Sequence, residues 1–428
     1  MGFSPWIAVA LAVPVLLAGE WLVRLTGWLK RFHIPAPVVG GLAVSLAILT
    51  VNLCCGAGVR FQTDVSSPWW TWLVCAEPDW FRTPAKNVNT PFLVAFFSCI
   101  GLNASWSLLK RGSVQVLLFL FLSTILAVAQ NVAGAELAAL LGKPRLLGLI
   151  CGSVALTGGH GTVMGFAPEF EAAGLSGAAV IGAASATFGV VAGGLLGGPV
   201  GGALIRRRNL SPAGIAPCPA CPSAPSPAAG ILSDIRKLTE PGIGFWRHLL
   251  AVLFCVKAGA WISLGVQRLG IVFPVYMGAL FLGVVLRNVA DRYKKDFFLT
   301  GTVEQLSAVT LGIFLTVAMM SLNLIDLSGV AGPMLLILAA QVVLIALFAR
   351  LVTFRVMGGD YDAAVMSAGL CGFGLGAMPN AIANMKTLTE HYGPAERAFL
   401  VVPITGTFLI DLVNAVNITV FLNLQRIG

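Results

Sequence analysis

The chain has 428 residues, of which 57% are apolar and only 11% charged, against roughly 45–50% and 25% in soluble domains. That balance excludes a soluble enzyme or binding module and marks an all-α integral membrane protein with lipid around it. The formal charge of +9 implies no nucleic-acid partner, because Lys and Arg gather in the cytoplasmic loops of membrane proteins.

A membrane helix takes about 20 mostly apolar residues. The first such run, 5–23, has no basic segment before it and is expected to be a retained span, not a cleaved signal. Runs follow at 35–55, 91–109, 113–141 and 177–205, with a polar, Trp-rich insert at 56–88. Residues 206–245 open with Arg206, Arg207 and Arg208 and continue through APCPACPSAPSPAAG. Such a composition builds no packed core and reads as a linker. Cys218 and Cys221 form a CxxC there, but no second ligand pair follows, and a structural zinc needs four ligands. Five more runs come at 246–267, 271–290, 303–324, 328–353 and 396–424. Two further apolar segments, 146–176 and 361–391, are interrupted by Gly and Pro.

The halves resemble each other. Gly101-Leu102-Asn103 matches Ser321-Leu322-Asn323, Gly152 matches Gly372, and Thr187-Phe188 matches Thr407-Phe408, all at an offset of 220 residues. Pro37 and Gly41 match Pro274 and Gly278 at 237, a difference that falls where the insert sits. Five spans per half place the second half upside down relative to the first. The expected plan is therefore two inverted repeats, 1–205 and 246–428, joined by the cytoplasmic linker 206–245. With both termini outside, nineteen Lys and Arg fall on the inner side and seven on the outer. Lys257 lies within a span, which accounts for all 27. The bias supports that orientation. It places the insert outside, where disulfides persist, and Cys75 is expected to pair with Cys54 or Cys55.

The interrupted segments carry the chemistry. Irregular backbone at membrane depth is tolerated only where it is buried in protein or lines a cavity, and paired breaks point to a transporter binding site. The first, LTGGHGTVMG, supplies Thr157, Gly158, Gly159, His160, Gly161 and Thr162. The second, CGFGLGAMPNAIAN, supplies Gly374, Gly376, Ala377, Pro379, Asn380 and Asn384. Half-helix N–H groups suit a carboxylate, and carbonyls with nearby hydroxyls suit a small hard cation. The two tips are expected to meet as re-entrant hairpins from opposite sides. His160 either lines the site or donates to a nearby carbonyl. Thr157 and Thr162 either ligate sodium or bond back to their own helix.

Asp411, midway through the last span, marks an ion pathway by default, with Asn414 on the same face three residues on. The competing reading is a hydrogen-bonded Asp411–Asn414 pair. Asn103 and Asn323 fall near span ends and are expected to cap helices or reach headgroups. Lys257 reads as a snorkelling lysine. No HExxH, GxSxG or P-loop occurs, so no enzyme is expected.

At LTGGHGT, GFGLGAMPNAIANM, YDAAV, ERAFLVVP and FLIDLVNA the chain resembles the bacterial sodium/glutamate symporter family, through roughly 5–205 and 245–425. The resemblance implies a sodium-coupled glutamate carrier of the bacterial inner membrane, a homodimer working by an elevator movement. It assigns the hairpin motifs to Gly158, Gly159, His160, Gly161 and Thr162, and to Gly374, Gly376, Pro379, Ala381 and Asn384. The last-span acid falls on Asp411. Thr162, Asn384, Asp411 and Asn414 are the expected sodium ligands; Thr157–Thr162 with Gly374, Gly376, Ala377, Pro379 and Asn380 are the expected substrate residues. Val163, Met164, Leu370 and Met378 depart from the family pattern. A sodium-coupled di- or tricarboxylate carrier of related plan is the alternative. A sensor fits less well, since the linker is too short and too Pro-rich for an output domain, and a channel fits less well, since hairpins meeting at the midplane suggest an occluded site.

Overall fold

The computed structural model describes residues 2–31, 34–56, 59–65, 67–76, 86–105, 113–212, 243–269, 273–293, 297–324, 329–376 and 378–427. Most of the linker, with Cys218 and Cys221, lies outside them, as do Ala377 and part of the insert. The described chain is helical apart from four two-residue strands. Its first half holds α1 (Pro5–Leu25), α2 (Gly27–Arg31), α3 (Ala36–Cys55), α4 (Pro68–Val74), α5 (Thr90–Asn103) and α6 (Ser113–Leu140). Then come α7 (Arg145–Leu149), α8 (Gly159–Ala172) and α9 (Ala178–Arg208). The second half begins with α10 (Ile243–Gln267), α11 (Val275–Tyr293), α12 (Thr300–Met320) and α13 (Ala331–Phe348). It ends with α14 (Phe354–Val356), α15 (Tyr361–Phe373), α16 (Met378–Tyr392), α17 (Glu396–Ile404) and α18 (Ile410–Ile427). Proline opens α1, α3, α4 and α5, where the missing N–H would have had no partner anyway. Asp360 caps α15 by accepting from Ala363 N at 2.9 Å.

Seven helices among the described residues are long and apolar enough to cross a membrane, so this is a multi-pass membrane protein. Three of the ten expected spans fall outside that set. Helix α5 has only 14 residues. Helix α11 carries Arg287, Asp291 and Arg292 in its last turns. The run 396–424 is one span in composition but is divided into α17 and α18 by a π-helical turn at Thr405–Leu409.

The chain forms two compact units, and each draws on both sequence halves. The first holds α1, α3–α5 and α10–α12. Without a hydrophobic drive between helices in lipid, small residues let backbones approach. A methyl on Gly19 or Gly40 would collide across the α1–α3 contact, and one on Gly41 would strike Met319 of α12. In the same way Gly278 faces Gly259 of α10, and Gly283 faces Gly101 of α5. Helix α3 is thus held by α1 and α12, and α11 by α10 and α5. Asn89 Nδ2 donates to Phe314 O at 2.7 Å. Arg287 Nε pairs with Asp291 at 3.1 Å, and its Nη1 donates to Phe298 O at 3.1 Å. Asn103 is buried at the end of α5, which does not fit the headgroup arm of its expected roles.

The Lys257 Nζ donates to Trp72 O at 2.6 Å and Cys75 O at 2.9 Å, and lies 4.4 Å from the Trp72 ring centre. It caps the C-terminus of α4, where orphan carbonyls and the helix dipole favour a cation. One expectation for this unit is corrected. No disulfide joins Cys75 to Cys54 or Cys55. Cys75 is buried beyond the end of α4, while Cys54 and Cys55 are exposed on the last turn of α3.

The second unit holds α6–α9 and α13–α18 and contains both interrupted segments.

Candidate functional site

Each interrupted segment is a helix, a break and a second helix. In the first, α7 runs into a π-helical turn, Ile150–Val154, whose Gly152 has φ −95° and ψ −133°, well outside helical geometry. Gly159 then takes φ +69° and starts α8. In the second, α15 ends at Phe373, Gly376 takes φ +151°, and α16 starts at Met378. The positive φ angles are strained for any residue with a Cβ. Pro379 is exposed in the first turn of α16, where its lost N–H costs nothing.

The two breaks meet. A Cβ on Gly159 would stand 3.1 Å from Gly376 O. One side chain of α6 links them: Gln130 Oε1 accepts from Thr157 Oγ1 at 2.7 Å, and Gln130 Nε2 donates to Gly374 O at 3.0 Å. Gln130 is fully buried, so these bonds compensate backbone and hydroxyl groups that no water reaches.

Helix α9 provides the floor. A methyl on Gly189 would strike Leu375 O, and one on Gly197 would strike the Asn384 amide. Asn380 Nδ2 donates to Val190 O at 2.6 Å and Asn384 Nδ2 to Gly193 O at 2.9 Å. Both asparagines therefore fasten α16 to α9. Among the described residues the Asn380 Oδ1 finds no hydrogen-bond partner.

His160 lies buried against α9, its Nε2 3.0 Å from Thr187 Oγ1. Thr187 donates to Ala183 O at 2.8 Å, so its hydroxyl accepts from His160 and the imidazole carries its proton on Nε2. Thr162 is buried on the first turn of α8, over Gly158, where a Cβ would overlap it. Gly161 is half-buried beside it. Thr157 bonds sideways to Gln130, not back to its own helix.

Asp411 follows the π-helical turn as α18 begins, partly buried, and no hydrogen bond or ion pair reaches its carboxylate among the described residues. The alternative Asp411–Asn414 pair does not form: Asn414 is buried and its Nδ2 donates to Ser153 O at 3.0 Å. Asn414 thereby joins the wall of the first break. Two of the larger side chains that depart from the family pattern lie against glycines. Val163 fills the space at Gly182, and Met378 the space at Gly406.

Four further residues of this site carry no motif: Gln130, Asn131, Ser153 and Gln341. Asn131 Oδ1 accepts from Ser153 N at 3.0 Å, and Gln341 Nε2 donates to Gln130 O at 2.7 Å. The available signal is carboxamides in mid-span, AQN in α6 and AAQVV in α13, which are costly in lipid unless partnered.

The two helix breaks are held tip to tip inside one packed unit. A family model described as Sodium/glutamate symporter matches residues 2–74 and 81–394. The chain belongs to the sodium/glutamate symporter family. A sodium/glutamate symporter of Haemophilus influenzae is 37% identical over 424 residues, covering 96% of each chain. One of Escherichia coli is 39% identical over 415 residues, again covering 96% of each. Members of this family are transporters, not enzymes.

Proposed function

We propose that this chain is a sodium-coupled symporter importing glutamate across a bacterial inner membrane. The observation that carries the reading is the meeting of the two breaks at Gly159 and Gly376, tied by Gln130, in a member of this family. The N–H groups of His160 and Gly161, in the first turn of α8, are orphaned by helix geometry and suit the glutamate carboxylates. Thr157, Gly158, Gly374, Gly376, Ala377, Pro379 and Asn380 complete the substrate pocket in this reading. Thr162, Asn384, Asp411 and Asn414 serve sodium. Asp411 supplies the formal negative charge, since nothing else described neutralises it at depth.

The finer architecture belongs to the same proposal. The segments around Gly159 and Gly376 are re-entrant hairpins of two inverted repeats, 1–205 and 246–428. The constant offset of matching residues supports this, as does the parallel packing of α3 on α1 and α12 and of α11 on α10 and α5. The protein works as a homodimer with an elevator movement, its termini outside and the 206–245 linker in the cytoplasm. The test is radiolabelled glutamate uptake into proteoliposomes. Uptake is expected only with an inward sodium gradient. Uptake that persists without sodium and collapses with a protonophore overturns the reading.

A further inference from the structure

Helix α9 presents two faces to different neighbours. Gly189, Gly193 and Gly197 face the second break, where an added Cβ would meet Leu375 O, Gly372 O and the Asn384 amide. Phe188, Ala192, Leu195 and Leu196 recur at helical spacing beside that stripe. With Ala339 and Val342 of α13 they line a groove of about 360 Å³. Every one of these side chains is apolar, and Leu195 is 53% exposed. A water in such a space needs two to four polar partners, and this lining supplies none from its side chains. Both helices are long and apolar enough to span a membrane, so hydrocarbon is the medium that suits the groove.

The two helices run side by side in the same direction. Beyond the groove, the Arg208 guanidinium at the end of α9 lies 5.1 Å from the ring centre of Phe354, which follows α13. At that end stand Arg206, Arg207, Arg208, Arg350 and Arg355, all exposed. Arg206 Nη1 donates to Tyr392 Oη at 3.2 Å. Among the described residues none of the five makes an ion pair. The stretch of α9 from Leu196 to Arg206 rises about 15 Å. That is the depth of one leaflet, half of a hydrocarbon core about 30 Å thick. An anion held by the arginines therefore has the apolar groove one leaflet's depth away along the same helix.

We propose that the α9–α13 groove, with Arg207, Arg208, Arg350 and Arg355 at its end, binds one anionic phospholipid, its phosphate at the arginines and an acyl chain in the groove. Basic residues at the membrane surface attract anionic headgroups, and guanidinium forks match phosphate oxygens. The acyl chain supplies the apolar contacts that the open lining lacks. The site is separate from the substrate pocket but shares α9 with it. Thr187, the partner of His160, directly precedes Phe188. Val190 O and Gly193 O, which hold Asn380 and Asn384, lie within the stretch of α9 that lines the groove. A bound chain thus backs the helix against which both breaks rest.

The test is native mass spectrometry of the purified full-length chain in detergent, titrated with phosphatidylglycerol or with phosphatidylcholine of the same acyl chains. The wild type is expected to bind one phosphatidylglycerol about tenfold or more tightly than phosphatidylcholine. Arg207→Gln combined with Arg350→Gln removes two exposed charges, and each is expected to weaken phosphatidylglycerol binding about fivefold. Ala339→Phe fills the groove from an exposed position and is expected to weaken the same binding about tenfold. Dioctanoyl phosphatidylglycerol, with the headgroup but short chains, reads the groove in the wild type should that variant fold badly, and is expected to bind about tenfold or more weakly. Equal binding of the two long-chain lipids, or unchanged binding in the arginine variant, overturns the headgroup site. Displacement of the lipid by inorganic phosphate, or full-strength binding of the short-chain lipid, leaves a phosphate site alone and overturns the groove. An Ala339→Phe protein that loses its oligomeric state assigns the groove to a second copy of the chain and overturns the proposal.

Discussion

Gln130 Nε2 donates to Gly374 O across 3.0 Å, so a side chain in the second half of α6 holds the carbonyl end of a break 244 residues further along the chain. The same amide accepts from Thr157. It is the only described side chain bonded to both breaks.

Gln130→Glu keeps the acceptor for Thr157 but turns the donor facing Gly374 into an oxygen. A buried acceptor set against an acceptor costs about 1–3 kcal/mol. We expect lower thermal stability and glutamate uptake reduced by about tenfold or more at equal membrane expression. Wild-type uptake with unchanged stability would show that the bridge does not matter.

The Asp411 carboxylate has a different role in this reading. Asp411→Asn removes the charge and keeps most of the shape. The variant is expected to insert and fold, with the sodium dependence of uptake strongly weakened. An unchanged sodium curve in a well-expressed Asp411→Asn protein sinks the coupling role.

The glycines of α9 are not equivalent. Gly189→Ala drives a methyl into Leu375 O, and overpacking of this kind costs about 1–3 kcal/mol. A methyl on Gly198 would meet nothing within 4 Å, and alanine is the better helix former there by about 1 kcal/mol. Uptake is expected to fall sharply for Gly189→Ala and to persist for Gly198→Ala. Comparable losses in both would place the requirement on helix flexibility and not on the α9 contact with the break.

Lys257 donates to the carbonyls that end α4. Lys257→Met leaves the carbonyls of Trp72 and Cys75 without their donor. Amide hydrogen exchange across 68–76 is expected to quicken, while glutamate uptake stays close to wild type. Unchanged exchange in that helix would show that Lys257 does not hold it.

The cysteines give a direct check on the insert. Non-reducing peptide mass spectrometry is expected to find Cys54, Cys55 and Cys75 as thiols. A Cys75 peptide linked to either of the other two would contradict the structure.

Membrane insertion was legible from composition alone, because the cost of burying charge in lipid is set residue by residue. The two breaks were legible too, since glycine and proline disrupt helices whatever surrounds them. That is why Gly159 and Gly376 could be singled out without knowing their partner. Residue type does not reveal which polar group is met by which. Lys257 is a snorkelling lysine in any hydropathy profile, and becomes a helix cap only because α4 ends beside it. Asn414 is spaced to pair with Asp411, yet bonds the Ser153 carbonyl, which also accepts from Gly158 N at 2.9 Å in the broken turn. Gln130 and Gln341 belong to no motif. Their place at the site follows from α6 and α13 packing against the breaks, a contact between segments more than 200 residues apart. Local sequence sets where backbone hydrogen bonds must fail; only the tertiary arrangement decides which side chains satisfy them.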